Sequence, residues 1–168
     1  MVANLKAGKV VQGGSTITQQ VAKSLLDDKS RSFIRKIKDL LLALRIEERF
    51  SKQEILYLYL NQVYLGGGYY GVKAAFKGYF GKELNEATIA ESALLAGLLV
   101  APGRYSPYLR PEFSKMRQRY VLGRMLTNGV ITQEQHDKAL QENLKLMNRR
   151  GNPYLAGHFT DWIRQRVM

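Results

Sequence analysis

Residues 88–100 read Thr-Ile-Ala-Glu-Ser-Ala-Leu-Leu-Ala-Gly-Leu-Leu-Val, and this stretch indicates the fold class. Thr88 and Glu91 stand three residues apart, which is the spacing of a capping box at the start of a helix. The small and apolar residues that follow favour a helix to the end of the stretch. The same signature opens segments at residues 51–54 and 132–135, and no stretch shows the alternation typical of a strand. The sequence therefore predicts an all-α fold.

Caps, glycines and prolines divide the rest of the chain into further helices joined by short loops. The predicted helices cover residues 16–26, 30–50, 51–63, 72–80, 88–100, 112–128 and 132–147. Residues 66–71 are predicted to form a flexible loop, and residues 102–111 an ordered but irregular one. We expect residues 1–148 to form one domain and residues 149–168 to be a linker.

Length, charge and cysteine content narrow the function classes. The 168 residues, 45% of them hydrophobic, suffice for one domain with a sizeable core. The net charge of +12 favours an anionic partner: nucleic acid, an anionic membrane surface or a phosphorylated substrate. The absence of cysteine excludes disulfides, thiol chemistry and cysteine-based zinc sites. The longest apolar run, residues 93–101, is about half of what a membrane span requires.

The run Gly-Gly-Ser-Thr-Ile-Thr-Gln-Gln at residues 13–20 is unusual for a purely structural segment. Two glycines allow the backbone to approach a ligand closely. The hydroxyls and amides that follow supply the neutral hydrogen bonds that a sugar requires. The alternative is a glycine turn followed by a Ser or Thr N-cap and a polar helix start. The run alone leaves both interpretations open.

The predicted helix at residues 30–50 is both amphipathic and basic. Its apolar stripe consists of Ile34, Ile37, Leu41 and Leu44. Its cations are placed on the opposite side and comprise Arg31, Arg35, Lys38, Arg45 and Arg49. With Lys23 of the preceding helix, they are interpreted as a row of charges for phosphate oxygens, which Arg binds bidentately. A solvated face carrying an Arg35–Asp39 ion pair is the structural alternative.

Candidate carboxylates for catalysis are Asp39, Glu47, Glu48, Glu54 and Glu91. A capping role is the preferred interpretation for Glu54 and Glu91, and Glu47 or Glu48 can pair with neighbouring arginines. Asp39 is the strongest candidate because the surrounding cations favour its ionised form. An ionised carboxylate suits charge stabilisation or metal binding better than proton abstraction.

These motifs together resemble the peptidoglycan glycosyltransferase domain (glycosyltransferase family 51) of class A penicillin-binding proteins and monofunctional transglycosylases. Residues 13–20 resemble the second motif of that family, and residues 35–39 the third, usually Arg-Lys-x-x-Glu. Residues 52–61 resemble the fourth motif, and the region that contains the fifth is resembled by residues 90–102, 105–107 and 117–125. The resemblance covers nearly the whole chain, with the motifs in family order. It implies that residues 1–148 are the glycosyltransferase domain without its first motif and that residues 149–168 are a linker toward a transpeptidase domain.

The resemblance implies a lysozyme-like helical fold and processive polymerisation of lipid II, with inversion at the anomeric carbon and release of undecaprenyl pyrophosphate. It assigns catalytic roles to Asp39, Lys23 and Arg31. It assigns substrate binding to Gly14, Ser15, Thr16, Thr18, Gln19, Gln20, Arg35, Lys38 and Asn61. No cofactor is required by the sequence, and the family allows a Mg or Mn ion at the substrate diphosphate.

The implied partners are lipid II, the growing glycan strand, a membrane surface and cell-wall synthesis proteins, with no nucleic acid. The implied location is the periplasmic face of the bacterial cytoplasmic membrane, through an anchor that would precede residue 1. Residues 66–71 and the helix around residues 94–99 are a candidate membrane contact. Core packing of Leu94, Leu95, Leu98 and Leu99 is the alternative, and it is preferred for most of them.

Two departures from the family pattern stand out. The first motif, Glu-Asp-x-x-Phe-x-x-His-x-Gly, carries the general-base glutamate and has no match in this sequence, so we expect an N-terminally truncated and nearly inactive chain. Asp39 stands where the family usually has glutamate, which draws the carboxylate back by about one C–C bond. Two other functions stay open: a non-catalytic module that binds lipid pyrophosphate or glycan, and, remotely, a basic helical nucleic-acid binder.

Overall fold

The computed structural model describes residues 16–25 and 33–147. In these ranges the chain is helical, as predicted, with one isolated antiparallel bridge between Tyr64 and Tyr70. The helices are α1 (Ile17–Leu25), α2 (Phe33–Arg49), α3 (Lys52–Gln62), α4 (Val72–Phe80), α5 (Ile89–Leu98), α6 (Pro111–Thr127) and α7 (Gln133–Gln141). A 3₁₀ turn at Leu84–Glu86 lies between α4 and α5. The chain divides into two compact units, residues 1–62 and 63–168.

The first unit contains α1, α2 and α3, and each of these helices packs against the other two. Their buried side chains are Val21 and Ala22 of α1, Ala43 and Ile46 of α2, and Ile55 and Tyr59 of α3. The small alanines at the α1 and α2 contacts let the two helices approach closely. Ser24 Oγ lies 2.7 Å from Gln62 Oε1, which joins the end of α1 to the end of α3.

The apolar stripe of α2 does not face the core of its unit. Ile34, Ile37, Leu41 and Leu44 are joined by Leu40, and these five side chains are between 46% and 67% exposed. The buried side of α2 is instead marked by Ala43 and Ile46, about a third of a turn away. The usual inference from an amphipathic stripe to a buried face therefore fails here, because small residues make the packing contact.

The second unit is built around α4, α5 and their neighbouring loops. Its larger core contains Phe76, Tyr79, Leu94, Leu95 and Leu98 among its buried side chains. The core interpretation of these leucines is thereby confirmed. A second cluster lies where α5, α6 and α7 meet and includes Ala90, Leu122 and Ala139. Gln118 Nε2 donates to the backbone carbonyl of Ala90 at 2.8 Å, which ties α6 to α5 in the buried region.

The loop at residues 66–71 is a compact turn held by backbone hydrogen bonds. Leu65 N–H donates to Tyr69 C=O at 3.0 Å, and Tyr69 N–H donates to Gly66 C=O at 2.9 Å. Gly66 and Gly67 adopt φ of 85° and 65°, a region that side chains with a Cβ rarely enter. The flexible loop predicted from the glycines is therefore an ordered turn whose glycines supply the backbone conformation.

The last predicted helix ends earlier than its sequence pattern suggested. It stops at Gln141, and residues 142–147 form no regular secondary structure. Met147 N–H donates to Tyr79 C=O at 2.8 Å, and Thr88 Oγ1 donates to Glu142 Oε1 at 2.7 Å. Tertiary contacts with the aromatic core therefore outweigh helix propensity in this segment. The predicted linker at residues 149–168 lies outside the described residues.

Candidate functional site

The first turn of α1 carries a reciprocal capping box that the sequence analysis considered only in outline. Thr16 Oγ1 accepts a hydrogen bond from Gln19 N–H, and Gln19 Oε1 accepts one from Thr16 N–H, both at 3.2 Å. This is the S/T-x-x-Q form of the capping box. Thr16 and Gln19 therefore serve at least one structural purpose, and their polar character is partly explained without a ligand. Gln20 is exposed on the next position of the helix.

Thr18, which the resemblance assigns to the sugar cleft, has its hydroxyl engaged within the protein. The side chain is buried, with 6% of the residue exposed, and Oγ1 donates to Glu47 Oε1 at 2.6 Å. The hydroxyl proton is thus committed to a carboxylate on α2. Sequence analysis missed this pairing because the two residues are far apart in the chain. Glu47, once a candidate acid/base, is the acceptor of this contact.

The Thr18–Glu47 hydrogen bond also sets the relation of α1 to α2. It joins the first turn of α1 to the last turn of α2. Lys23 lies five residues beyond Thr18, and Asp39 lies eight residues before Glu47. At a rise of about 1.5 Å per residue, they lie about 8 Å and about 12 Å along their helices from this contact. The hydrogen bond therefore fixes α1 and α2 to each other at one point, close to the two residues singled out in the sequence.

Asp39 is the most unusual polar side chain of the first unit. It is half-buried, and its Oδ1 atom is buried without a hydrogen-bond partner. Within the described side chains no cation lies in ion-pair range of it, and the side chain of Arg35, its expected partner, is outside that set. A buried carboxylate oxygen without a donor is costly unless something binds it. Asp39 thus has an acceptor available for a ligand group or a metal ion.

The remaining predicted site residues divide into two groups. Lys23 and Lys38 are exposed on α1 and α2. Asn61 is exposed on α3, and its Nδ2 donates to Tyr57 C=O at 2.8 Å within the same helix. The following predictions lie outside what the structure describes: Gly14, Ser15, Arg31 and the side chain of Arg35.

The capping role preferred for Glu54 and Glu91 is confirmed. Ser51 N–H and Ser51 Oγ each donate to Glu54 Oε2 at 2.8 Å. Both hydrogen bonds hold the pKa of Glu54 below its ordinary value, and the one from the backbone N–H has the larger effect. Glu91 is buried, completes a capping box with Thr88 and accepts from Lys82 Nζ at 2.7 Å. Neither carboxylate is placed for acid/base work.

A metal ion would have to be held largely by substrate oxygens. Within residues 16–25 and 33–147, no three His, Asp or Glu side chains gather as a ligand set. Mg²⁺ is commonly held by one or two carboxylates together with substrate phosphates. The unpartnered Oδ1 of Asp39 fits such a single protein ligand.

None of the described helices has the length and apolar content needed to cross a membrane.

The chain is similar to known transglycosylases along most of its length. A family model described as "Transglycosylase" matches residues 1–126. Penicillin-binding protein 1A of Aquifex aeolicus is 47% identical over 167 residues, which is 99% of this chain and 23% of that protein. The Neisseria flavescens protein of the same name is 50% identical over 144 residues, 86% of this chain and 18% of its own length.

A solved structure gives the same result for the fold. The crystal structure of penicillin-binding protein 1A from Haemophilus influenzae is 35% identical and matches with a TM-score of 0.58. The match covers 88% of this chain and 19% of that one. The chain therefore spans about a fifth of the length of these relatives, as the percentages of 23%, 18% and 19% show.

Proposed function

The chain belongs to the transglycosylase family, and from its site we propose that it is the core of a peptidoglycan glycosyltransferase that polymerises lipid II. One observation carries the proposal. Lys23 and Lys38 are exposed on the packed helices α1 and α2, and α2 also carries Asp39, whose Oδ1 is buried without a hydrogen-bond partner among the described residues. Exposed cations and a free acceptor on one helix pair suit a diphosphate-linked sugar better than they suit a packing contact.

The proposed reaction is an inverting displacement. The 4-hydroxyl of the acceptor sugar attacks C1 of the donor chain, and the O4–C1 bond forms as the bond from C1 to the pyrophosphate oxygen breaks. The leaving undecaprenyl pyrophosphate takes the bonding electron pair, and the hydroxyl proton passes to a general base. In the family this base is the glutamate of the first motif, which has no match among the 168 residues.

The cations of α1 and α2 would act on the leaving group. Negative charge grows on the pyrophosphate as its bond to C1 breaks, and positioned cations stabilise that charge. Lys23 and Lys38 would supply this positive charge, since both carry exposed ammonium groups. Arg31 and Arg35 are proposed to add bidentate contacts to phosphate oxygens, in line with the family motif. A Mg or Mn ion, when bound, would neutralise diphosphate charge, and Asp39 is the residue that would hold it.

The capping residues of α1 would support the site indirectly. The hydrogen bonds of Thr16 and Gln19 fix the start of α1, and that of Thr18 fixes its packing on α2. Gly14, Ser15 and Gln20 are proposed to face the sugar and phosphate groups, with Asn61 at the edge of the substrate. Positioning of this kind matters because displacements of about 1 Å can cost large factors in rate.

We further propose that the exposed face of α2 lies against a membrane surface. Its five apolar side chains span about 120° of the helix circumference. Lys38, Arg45 and Arg49 are exposed and lie along one edge of this face, not opposite it as the sequence analysis predicted. A broad apolar face bordered by basic residues is typical of helices that lie in the interface of an anionic bilayer. The lipid-linked substrate would then be reached without leaving the membrane. We also propose that the protein lies on the extracytoplasmic side of the membrane and contacts other cell-wall proteins.

The 168-residue chain by itself is proposed to turn over slowly. General-base catalysis contributes about 10²–10⁴-fold to such reactions, and the expected base lies in a motif absent from this sequence. The second candidate function is a module that binds lipid pyrophosphate without turnover. The exposed Lys23 and Lys38 and the unpartnered Oδ1 of Asp39 support it equally. Binding of lipid II without product would support the module, and product formation would support the enzyme.

Titration of the chain with fluorescent lipid II in detergent micelles tests the site. Lys23→Met and Lys38→Met should each weaken binding about tenfold, the effect expected for loss of one charged contact. Lys138→Met makes the same change on α7 of the other unit and should leave binding within twofold. Equal affinity of all four proteins would refute a phosphate role for these lysines.

Turnover is tested separately with the same substrate. The 168-residue chain should form glycan at least 100-fold more slowly than a chain extended by a family segment that contains the first motif. Equal rates would show that the base lies within the 168 residues. Duplex DNA should fail to compete with lipid II, whereas competition with a steep salt dependence would favour the nucleic-acid alternative.

A further inference from the structure

Helix α6 carries a narrow exposed seam to which the proposed function gives no role, and residues 117–125 of this helix belong to the region that resembles the fifth family motif. Phe113, Met116 and Tyr120 lie on it, and Leu109 extends it just before the helix begins. These side chains are between 43% and 65% exposed. Their spacing of four, three and four residues is that of the a and d positions of a coiled coil. The opposite side of α6 is packed, with Ser114, Gln118 and Leu122 among its buried residues.

Cations border this seam on both sides. Arg110, Arg117 and Arg124 follow one another at intervals of seven residues and occupy one flank. Lys115 and Arg119 lie on the other flank, and Glu112 is the single acidic residue of the helix. Among the described residues, none of these five cations makes an ion pair within 4.0 Å. The charge of this helix face is therefore available to a partner.

Two of the arginines are held in place by aromatic rings. The guanidinium carbon of Arg117 lies 4.5 Å from the centroid of Tyr120 and 5.7 Å from that of Tyr105. That of Arg110 lies 6.0 Å from the centroid of Phe113. The Nε atom of Arg117 is buried, so it faces the protein and is not among the donors presented to a partner. Cation–π contacts fix the donors in advance, so a carboxylate would meet them at little cost in side-chain entropy.

We propose that the α6 seam docks an amphipathic helix of another protein, with apolar residues at its a and d positions and Asp or Glu beside them. Aromatic residues, Met and Arg are the side chains enriched at the centre of protein interfaces. The heptad spacing matches a helix laid along α6, and the arginine flanks match acidic neighbours. The apolar patch amounts to roughly 400 Å², which corresponds to a weak and reversible complex.

Other occupants fit the seam less well. A second copy of the chain would place arginines against arginines, and like charges at such a contact repel. The apolar residues of the α6 seam within the helix span only about 60° of its circumference, half the width of the exposed α2 face. A narrow seam suits a single helix, whereas an interfacial membrane helix presents a broad apolar face. The proposal concerns the second unit alone and does not depend on glycosyltransferase activity.

The test uses a synthetic acidic helix as the probe. The peptide has about three heptads with Leu at a and d and Glu at e and g. A scrambled peptide of the same composition keeps the net charge and no longer has its apolar residues on one side of the helix. Binding to the full 168-residue chain is measured by fluorescence anisotropy, and we expect a dissociation constant in the micromolar to tens of micromolar range for the ordered peptide. The scrambled peptide should bind at least tenfold more weakly.

Variants locate the binding face. Met116→Ser with Tyr120→Ser removes apolar contacts, and Arg110→Glu with Arg124→Glu reverses the charge of one flank. Each pair should weaken binding at least tenfold while circular dichroism stays unchanged. Leu140→Ser with Lys138→Glu makes the same kinds of change on α7 and should leave binding within twofold.

Several results would overturn the proposal. Equal binding of the scrambled peptide would show that net charge alone accounts for binding. If the α7 control weakened binding as much as the α6 variants, the peptide would not bind specifically at α6. Binding of phosphatidylglycerol vesicles, or of single-stranded DNA, that the α6 variants abolish while the peptide fails to bind would assign the face to a membrane or to nucleic acid.

Discussion

Thr18 Oγ1 donates a 2.6 Å hydrogen bond to Glu47 Oε1, and this contact joins the first turn of α1 to the last turn of α2. It ties α1 to α2 through two residues that are 29 positions apart in the chain. Lys23 and Asp39, which belong to the proposed substrate site, lie on these two helices. The proposed site therefore depends on helix packing in which the hydroxyl of a buried threonine is engaged within the protein.

Replacing Thr18 by valine should destabilise the chain by about 1 kcal/mol. Valine keeps the shape of the buried side chain and removes the donor, and the exposed Glu47 can turn to water, so the loss is near the net value of one hydrogen bond. Thr18→Ser, which keeps the hydroxyl, should restore the pairing. Urea unfolding measures both. Thr127→Val is the matched control at an exposed position, and it should change stability by less than about 0.5 kcal/mol.

Two helical glycines should respond to alanine in opposite directions. A Cβ at Gly78 would lie 2.2 Å from the Tyr69 ring, whereas one at Gly123 would meet nothing within 4 Å. Gly78→Ala should therefore cost about 3 kcal/mol through overpacking of the aromatic core. Gly123→Ala should stabilise α6 by about 0.5–1 kcal/mol because alanine is the better helix former. Thermal unfolding midpoints that move in the same direction for both variants would contradict this packing.

The Ser51–Glu54 capping box should make part of the stability pH-dependent. The pKa of Glu54 is lowered by its hydrogen bonds from Ser51, so the carboxylate contributes stability above its unfolded pKa and loses it as pH falls through the folded one. The destabilisation by Ser51→Ala should shrink between about pH 6 and pH 3. Ser51→Ala removes the hydrogen bond from Oγ and keeps the larger one from the backbone N–H, so the pKa of Glu54, read by NMR titration, should rise only part of the way toward its ordinary value.

The matching box at Thr132 and Gln135 provides the control for that titration. Its N3 side chain is an uncharged amide, which accepts from Thr132 N–H at 2.9 Å. Thr132→Ala should thus destabilise by an amount that does not change over the same pH range. A parallel pH dependence in both variants would mean that Glu54 is not its source.

The helices were largely predictable from sequence because their caps are local. Thr88 and Glu91, or Ser51 and Glu54, form their boxes within a single turn, so three-residue spacing suffices to find them. Sequence alone did not predict that the apolar face of α2 is exposed. Nor did it predict that residues 142–147 are not helical. Each depends on partners distant in the chain, as in the Met147–Tyr79 hydrogen bond.

The candidate site shows the same division. The motifs identify Lys23, Lys38 and Asp39 by residue type and order, which local sequence retains. The commitment of Thr18 to Glu47, and the unpartnered oxygen of Asp39, arise only when α1 packs on α2. Sequence therefore supplied the chemistry of the site, and packing determined which hydroxyls and carboxylates are available.

Asp39 should govern the effect of magnesium on diphosphate binding. If its free oxygen holds the ion, Mg²⁺ should strengthen binding of undecaprenyl pyrophosphate to the chain several-fold, since the ion bridges two negative groups. Asp39→Asn should remove this effect and tighten metal-free binding, because a negative charge near the diphosphate is lost. Glu48→Gln on the same helix is the control. An unchanged magnesium effect in Asp39→Asn would exclude this role.

The most direct test of the central claim is to locate a bound lipid diphosphate on the chain. A lipid II analogue with a photoreactive group next to the diphosphate is cross-linked to the 168-residue chain, and labelled peptides are identified by mass spectrometry. The account predicts labelling concentrated in residues 16–39, reduced by excess unlabelled lipid II and by Lys38→Met. Competable labelling confined to residues 63–147 would contradict it.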